Sequence, residues 1–181
     1  QLSEELAMPQ YQVQALRLNA RAAALQADFT LALGFLSTAS TLTSATTDLQ
    51  FQALLIEQQR AQVYEKLRQN DAAKRAYQRA IFYIQQLRSD LPLFDEYGDS
   101  YHQTLLQPIY LGYIKLLFQD LPQKPAHEVS SALQQIRDVM EHSKRDELQE
   151  YLGERCSIEQ LQQTGAAAAY KLAPESAILY P

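Results

Sequence analysis

The sequence has few of several residues on which particular protein classes depend. Its 181 residues include no Trp, one Cys and five Gly. A single Cys excludes an internal disulfide framework and a cysteine-rich zinc site. So few glycines argue against a β-sandwich with its many turns, and against a glycine-rich phosphate loop. The chain is instead rich in Ala, Leu and Gln, which favour helix, and we predict an all-α fold.

Charge and hydropathy exclude further classes. The net charge of −5 gives no electrostatic basis for binding nucleic acid, which requires a clustered basic face. The sequence lacks any apolar run of about 18 residues, so we predict no membrane span. Because the chain begins with Gln1 rather than Met, we expect it to be a segment of a longer protein.

Hydrophobic periodicity predicts six helices separated by Pro or polar breaks. Their expected bounds are Pro9 to about Ala27, Phe29 to about Ser44, an Asp48 N-cap to about Gln69, Ala72 to Leu87, about Tyr101 to Gln119, and about Ala126 to Leu152. Pro108 predicts a kink or a late start in the fifth helix. We expect Leu31 and Leu133 on the buried faces of the second and sixth helices. Residues 177–180 read as a short C-terminal strand.

Residues 54–87 fit the frame of a tetratricopeptide repeat, a helical hairpin of about 34 residues. Small residues occupy positions where two antiparallel helices approach closely, and aromatic residues fill the space beside them. The fitting positions are Ala61, Tyr64, Ala73, Tyr77 and Ala80. The Trp, Leu and closing Pro positions of the frame do not fit. Shifting the frame by one repeat in either direction gives poor matches, so the neighbouring helix pairs are degenerate repeats or plain hairpins. A generic α-bundle is the alternative.

The sequence offers few groups for chemistry. Cys156 with His142 or another His is the only nucleophile and base combination, but Cys156 follows the C-terminal end of a long helix, where the helix dipole disfavours a thiolate. A buried structural Cys is therefore favoured. Asp138 and His142 lie four residues apart on one helix face, without an evident third metal ligand. We predict that the chain has no catalytic, metal or cofactor site of its own.

Eleven tyrosines supply large amphipathic side chains. Tyr101, Tyr110 and Tyr113 either line a groove or fill the wedges between helices. We favour the wedges, because large aromatic residues are usually found in cores.

The C-terminal part of the chain carries a recognisable order of motifs. A Leu-rich run at residues 105–117 is followed by a Pro-rich gap, the stretch DELQEY at 146–151, Cys156, and a strand that ends in Tyr-Pro at 180–181. This order resembles the segment that joins tetratricopeptide repeats to the caspase-like peptidase of bacterial CHAT-domain proteins. The connector motif of that family is matched by Glu147, Leu148, Tyr151 and Cys156. Leu152 stands where the family usually has an aromatic residue, and a long Gln/Ala-rich insert precedes the strand.

The resemblance implies antiparallel hairpins of tetratricopeptide-like, α-α superhelix type over residues 1–120. Residues 121–181 would be a long connector helix and a tail that leads toward a C-terminal CHAT domain outside this chain. The expected function is a non-catalytic scaffold that binds a protein or peptide partner and positions or regulates that peptidase in cis. The compartment stays open between bacterial cytoplasm and periplasm. The alternative is a free-standing tetratricopeptide-type adaptor that binds a peptide.

Overall fold

The computed structural model describes residues 8–44, 47–88, 90–91, 94 and 98–152. Within these ranges lie six α-helices: α1 (Pro9–Leu25), α2 (Phe29–Ser44), α3 (Gln50–Lys66), α4 (Asn70–Leu87), α5 (Gln107–Asp120) and α6 (Ala126–Leu152). Consecutive helices pack as hairpins, α1 with α2, α3 with α4 and α5 with α6. The predicted all-α arrangement of helical hairpins is confirmed. The predicted strand at 177–180 lies outside the described residues.

Two predicted helix starts are wrong. Asp48 does not cap α3, because it lies within a short 3-10 turn, Thr47–Leu49, that leads directly into the helix. The residue at the N-cap of α3 is Leu49, which makes no side-chain capping bond. Helix α4 begins at Asn70 rather than Ala72, because the chain turns just before it, at Arg68 with a φ of 56°.

The fifth helix is irregular before Pro108, where a kink or a late start is predicted: helical backbone begins at Tyr101, but regular α-helix begins at Gln107. A π-helical turn, His102–Leu106, precedes α5, and the backbone N–H of Gln107 donates to the carbonyl of His102. Pro108 then falls in the first turn of α5, a position that suits its fixed φ.

The first two hairpins repeat one backbone plan at a constant spacing along the chain. Helices α1 and α3 each contain 17 residues. The spacing in question is the number of positions along the chain from Pro9 to Gln50, the first residues of these two helices. We call this spacing the repeat offset. Each hairpin turns at a non-glycine residue with positive φ, Ala27 at 60° and Arg68 at 56°. The residue after each turn donates its N–H to the carbonyl five positions before it at 2.9 Å, and its own carbonyl accepts from four positions later at 3.0 Å.

The repeat offset also relates the buried positions of the two hairpins. The pairs in which both members are buried are Val13 and Leu54, Ala20 and Ala61, Ala32 and Ala73, Leu36 and Tyr77, Ala39 and Ala80, and Thr43 and Ile84. A shift of the tetratricopeptide frame by about 34 residues, its usual period, does not superimpose these equivalent positions. The poor matches on that shift follow from the longer period of these hairpins.

Helix α3 contributes to two hydrophobic clusters. Ile56 and Val63 pack with residues of α1 and α2, while Leu54 and Ala61 pack with α4, α5 and α6. Within each pair the residues are seven apart, which is about two helical turns, so each pair lies along one face of α3. This helix is therefore the wall shared by both cores.

Some residues expected on buried faces are exposed. Leu31 and Leu133 are 48 % and 46 % exposed, whereas the neighbouring residues Ala32 and Ala132 are buried. A methyl side chain lets two helix backbones approach more closely than a Leu side chain does, so Ala takes the contact position. No helix in the described part is long and apolar enough to cross a membrane.

Candidate functional site

The predicted repeat positions lie inside the hairpin of α3 and α4. Ala61, Ala73 and Ala80 are completely buried and Tyr77 almost so, while Tyr64 is partly buried at the edge of the same cluster. All five are in the interior or at its margin.

Two residues of the connector motif, Glu147 and Leu148, have described side chains. Glu147 forms an ion pair with Lys144 at 3.3 Å, whereas Leu148 is half exposed. Tyr151 belongs to the last turn of α6, and Cys156 lies outside the described residues.

The candidate metal pair is engaged in other contacts. Asp138 forms an ion pair with Arg137 at 3.0 Å, and His142 Nδ1 lies 3.3 Å from the amide nitrogen of Gln85. Burial lowers the pKa of His142, with a further contribution from Arg145. In the part of the chain that the structure describes, no three His, Cys, Asp or Glu side chains are grouped so that they could hold a metal ion.

The predicted wedge tyrosines Tyr110 and Tyr113 are buried between helices, as expected. The Tyr113 hydroxyl accepts hydrogen bonds from the amides of Gln78 at 2.6 Å and Gln135 at 2.7 Å. It thereby joins α4, α5 and α6 at one point. Tyr101 is partly buried, and its ring meets Phe51 edge to face at 6.0 Å.

A second polar cluster fixes the C-terminal half of α6. Tyr110 donates its hydroxyl hydrogen to Asp146 at 2.6 Å, and the Nε of Arg88 donates to Gln149 at 2.8 Å. Arg88 also lies 3.6 Å from the Asp146 carboxylate. Burial raises the pKa of Asp146, and burial together with the Asp146 charge raises the pKa of Tyr110. Nothing in the sequence singles out this cluster, because its members are far apart along the chain.

A buried carboxylate lies where α2, α3 and α4 meet. Glu57 is only 4 % exposed and occupies the Trp position of the tetratricopeptide frame. Arg79 reaches it from α4 with both Nε and Nη2 at 2.8 Å, and Arg60 bonds to it within α3. Arg60 also donates to the carbonyl of Leu36 at 3.2 Å. Glu57, which does not match the Trp of the tetratricopeptide frame, thus links three helices: it bonds to α4 directly and to α2 through Arg60.

A groove of about 550 Å³ runs between α1 and α3, the first helices of the two equivalent hairpins. Positions related by the repeat offset line it from both sides: Arg17 and Gln58, Arg21 and Gln62, Leu25 and Lys66. On each helix these positions recur at every fourth residue, which places them on one face. The groove is therefore a property of the repeat rather than of one helix.

The groove carries positive charge. Arg17, Arg21 and Lys66 line it, and no Asp or Glu is among its described lining residues. The acidic residues of α3 are engaged elsewhere. Glu57 is held by the two arginines, and Glu65 accepts from Tyr77 of α4 at 2.5 Å and from Lys115 of α5 at 2.7 Å.

Two buried polar atoms of the groove residues have no partner in the described structure. They are the Nε of Arg17, a donor, and the Oε1 of Gln59, an acceptor. Arg17 is held in place by its Nη1, which donates to Gln52 of α3 at 2.9 Å, and burial lowers its pKa to about 10. Both atoms are shielded from solvent, so they belong to the wall of the groove rather than to the surface that a ligand touches.

Sequence reasoning did not identify the groove. Its signal is the placement of Arg17 and Arg21 on α1 opposite Gln58 and Gln62 on α3, which becomes visible only when the two helices are aligned by the repeat offset. No protein-family model, curated protein or solved structure matches this chain, so the case for function depends on the chemistry of the groove itself.

Proposed function

We propose that this protein is a non-catalytic helical-repeat scaffold that binds an extended segment of a partner protein in the groove between α1 and α3. The observation that carries the proposal is that positions related by the repeat offset, Arg17 with Gln58 and Arg21 with Gln62, line this groove from both sides. Every residue of an extended peptide other than proline presents one carbonyl acceptor and one N–H donor, which the guanidinium and amide groups of these side chains can bond.

The position of the groove supports the same proposal. Repeat proteins use the surface formed by equivalent helices of successive repeats to bind extended partners. Here the amides of Gln58 and Gln62 face the groove from α3, and each amide both donates and accepts hydrogen bonds. Such side chains can form hydrogen bonds with a peptide backbone without requiring one particular peptide sequence.

Selection from a random peptide library against the whole chain tests the proposal. The selected peptides should bind the native protein and lose binding to Gln62→Trp, which fills the groove from an exposed position on α3. The matched control is Gln134→Trp, at an exposed position of α6 that is not among the groove residues. Peptides that bind both variants equally, or a selection that yields none, would refute a groove that binds peptides.

We also propose that the chain positions a C-terminal CHAT peptidase, as the resemblance of its connector implies. The structural support is the anchoring of the C-terminal half of α6. Asp146 and Gln149 are held by Tyr110 and Arg88, while Leu148 between them stays half exposed. A helix fixed at its end, with an exposed apolar residue there, is suited to hold a following domain in a defined orientation.

The parent gene tests this second proposal. The sequence beyond Pro181 should encode a peptidase domain with its own catalytic His and Cys. In the full-length protein, Asp146→Asn should alter the rate of cysteine-dependent proteolysis, while Asp138→Asn, at an exposed position of α6, should leave it unchanged. A parent that ends without a peptidase would leave only the free-standing adaptor.

A further inference from the structure

The groove has a charge pattern as well as a hydrogen-bonding pattern. Arg17, Arg21 and Lys66 contribute three cations, and no carboxylate is among the described residues that line it. This is unusual on a chain whose net charge is −5. The charge of the groove is therefore opposite in sign to the charge of the molecule.

The cations differ in how they are held. Arg17 is partly buried and fixed by its bond to Gln52, with its Nε left unpartnered, whereas Arg21 and Lys66 are exposed at the groove surface. Burial lowers the pKa of Arg17 only to about 10, so its guanidinium stays charged at neutral pH. A fixed and desolvated guanidinium pairs with a carboxylate more strongly than a mobile surface cation does.

From this we propose that the partner segment is acidic: an extended peptide whose Asp or Glu carboxylate pairs with Arg17, with further carboxylates along Arg21 and Lys66. This inference rests on the proposed peptide-binding function and names the chemistry of its ligand. In it, Arg17 is the specificity-determining residue, and the groove glutamines bind the backbone.

The glutamines distinguish an acidic peptide from other polyanions. Gln58, Gln59 and Gln62 lie among the cations, and their amides match peptide groups. Single-stranded nucleic acid is usually bound with aromatic side chains on which the bases stack. The one aromatic residue among the described lining of the groove is Phe29.

Binding of two labelled peptides to the whole chain tests the inference by fluorescence anisotropy. One alternates Glu with Ser, and the other alternates Gln with Ser at the same length. The acidic peptide should bind at least about tenfold more tightly, a ratio that corresponds to one charge-assisted hydrogen bond. Added salt should reduce its affinity, because the outer cations are exposed.

Substitutions locate the effect. Arg17→Met should weaken the acidic peptide about tenfold or more, and Arg21→Glu should weaken it through repulsion at an exposed position that tolerates change. The matched control is Arg75→Met, which removes the same charge from an exposed position of α4 outside the groove and should change affinity less than about twofold. Circular dichroism checks that each variant is folded. If Arg17→Met unfolds the chain, Arg21→Glu and Arg21→Gln carry the comparison.

The outcomes separate this inference from the function on which it rests. Equal binding of the two peptides, with no effect of Arg21→Glu, would overturn the acidic ligand and leave a groove that binds neutral peptides. A single-stranded oligonucleotide that competes more strongly than the acidic peptide, through Arg17 and Arg21, would also overturn it. Loss of all peptide binding in Gln62→Trp is expected under both proposals, and its absence would refute both.

Discussion

The first two hairpins follow one backbone plan but stabilise it with different side chains. Where the first has Leu36 and Thr43, the second has Tyr77 and Ile84 at the equivalent buried positions. The buried residues of the first core are Ala and larger aliphatic residues in similar numbers, while the second core contains buried tyrosines whose hydroxyls bond from one helix to another. The comparison shows that the turns and the buried Ala positions define the repeat, and that the remaining core positions are free to differ.

The two hairpins also differ in what they pack against. The second is covered by α5 and α6, whereas α1 keeps an exposed face that borders the groove. The acidic residues of α3 form ion pairs with α4 and α5. The side of α3 that faces the groove therefore carries cations and amides. Unequal packing on the two sides of α3 thus produces the cationic groove.

The largest effect should come from a glycine at the closest helix contact. A Cβ added at Gly112 would lie 2.5 Å from the Tyr77 ring, whereas a Cβ at Gly34 in the first hairpin meets nothing within 4 Å. Gly112→Val should therefore lower the free energy of unfolding by about 3 kcal/mol or more. Gly34→Val should change it by less than about 1 kcal/mol, since only helix propensity is altered. Urea unfolding measures both, and similar losses would mean that the second core does not depend on this close approach.

The next largest loss of unfolding free energy is expected at Glu57, which links the first two hairpins. Glu57→Ala should cost about 2–3 kcal/mol, because it leaves Arg60 without its carboxylate partner in a largely buried position. Arg79→Ala should cost about 1 kcal/mol or less, because that side chain is 46 % exposed. Chemical denaturation of the two variants compares them. An equal cost would show that the bond to Arg79 carries the interaction.

Loss of one tyrosine hydroxyl should have a moderate effect in the second core. Tyr110→Phe removes the hydrogen bond to Asp146 and leaves a buried carboxylate with fewer partners, so we expect a loss of about 1–2 kcal/mol. Tyr11→Phe is the matched control, because Tyr11 is 62 % exposed at the start of α1. Thermal unfolding should separate the two variants, and a Tyr110→Phe protein as stable as the control would exclude a stabilising role for the bond.

The effect of Tyr110→Phe on the free energy of unfolding should depend on pH. The folded-state pKa of Tyr110 is raised above its usual value of 10.0, by burial first and then by Asp146. Its neutral hydroxyl therefore contributes stability that is complete below pH 10 and is lost as the pH rises through the folded-state pKa. The difference in unfolding free energy between the native protein and Tyr110→Phe should be constant near neutrality and shrink above pH 10. A difference that does not change with pH would contradict the burial of the hydroxyl.

The smallest effect should be a gain in the first hairpin. Gly34→Ala replaces a glycine in the interior of α2, where there is room for the methyl group, so the unfolding free energy should rise by about 0.5–1 kcal/mol. Gly112→Ala should have the opposite sign because of the Tyr77 ring. Two gains would mean that α2 and α5 tolerate an added methyl group equally.

Much of the fold could be predicted because helix periodicity is a local property. The starts and ends of α2 and α6 follow from apolar spacing and from the breaks around them. The start of α4 could not be placed as well, because a left-handed turn at Arg68 is unusual for a residue with a Cβ and is not signalled by its identity. Leu31 and Leu133 were misplaced for a related reason, since the spacing of two helices decides whether Leu or Ala occupies the contact.

The sequence by itself determined six helices, the small residues at which the second hairpin closes, and the irregularity of the fifth helix at Pro108. These features follow from side-chain volume, backbone propensity and the geometry of proline, all of which act within a few residues. Only the tertiary structure decided the repeat offset, the burial of Glu57 between two arginines and the cationic groove. Each of these features brings together residues from different helices. Their charges interact only at the short distances that helix packing imposes, so the sequence alone does not reveal them.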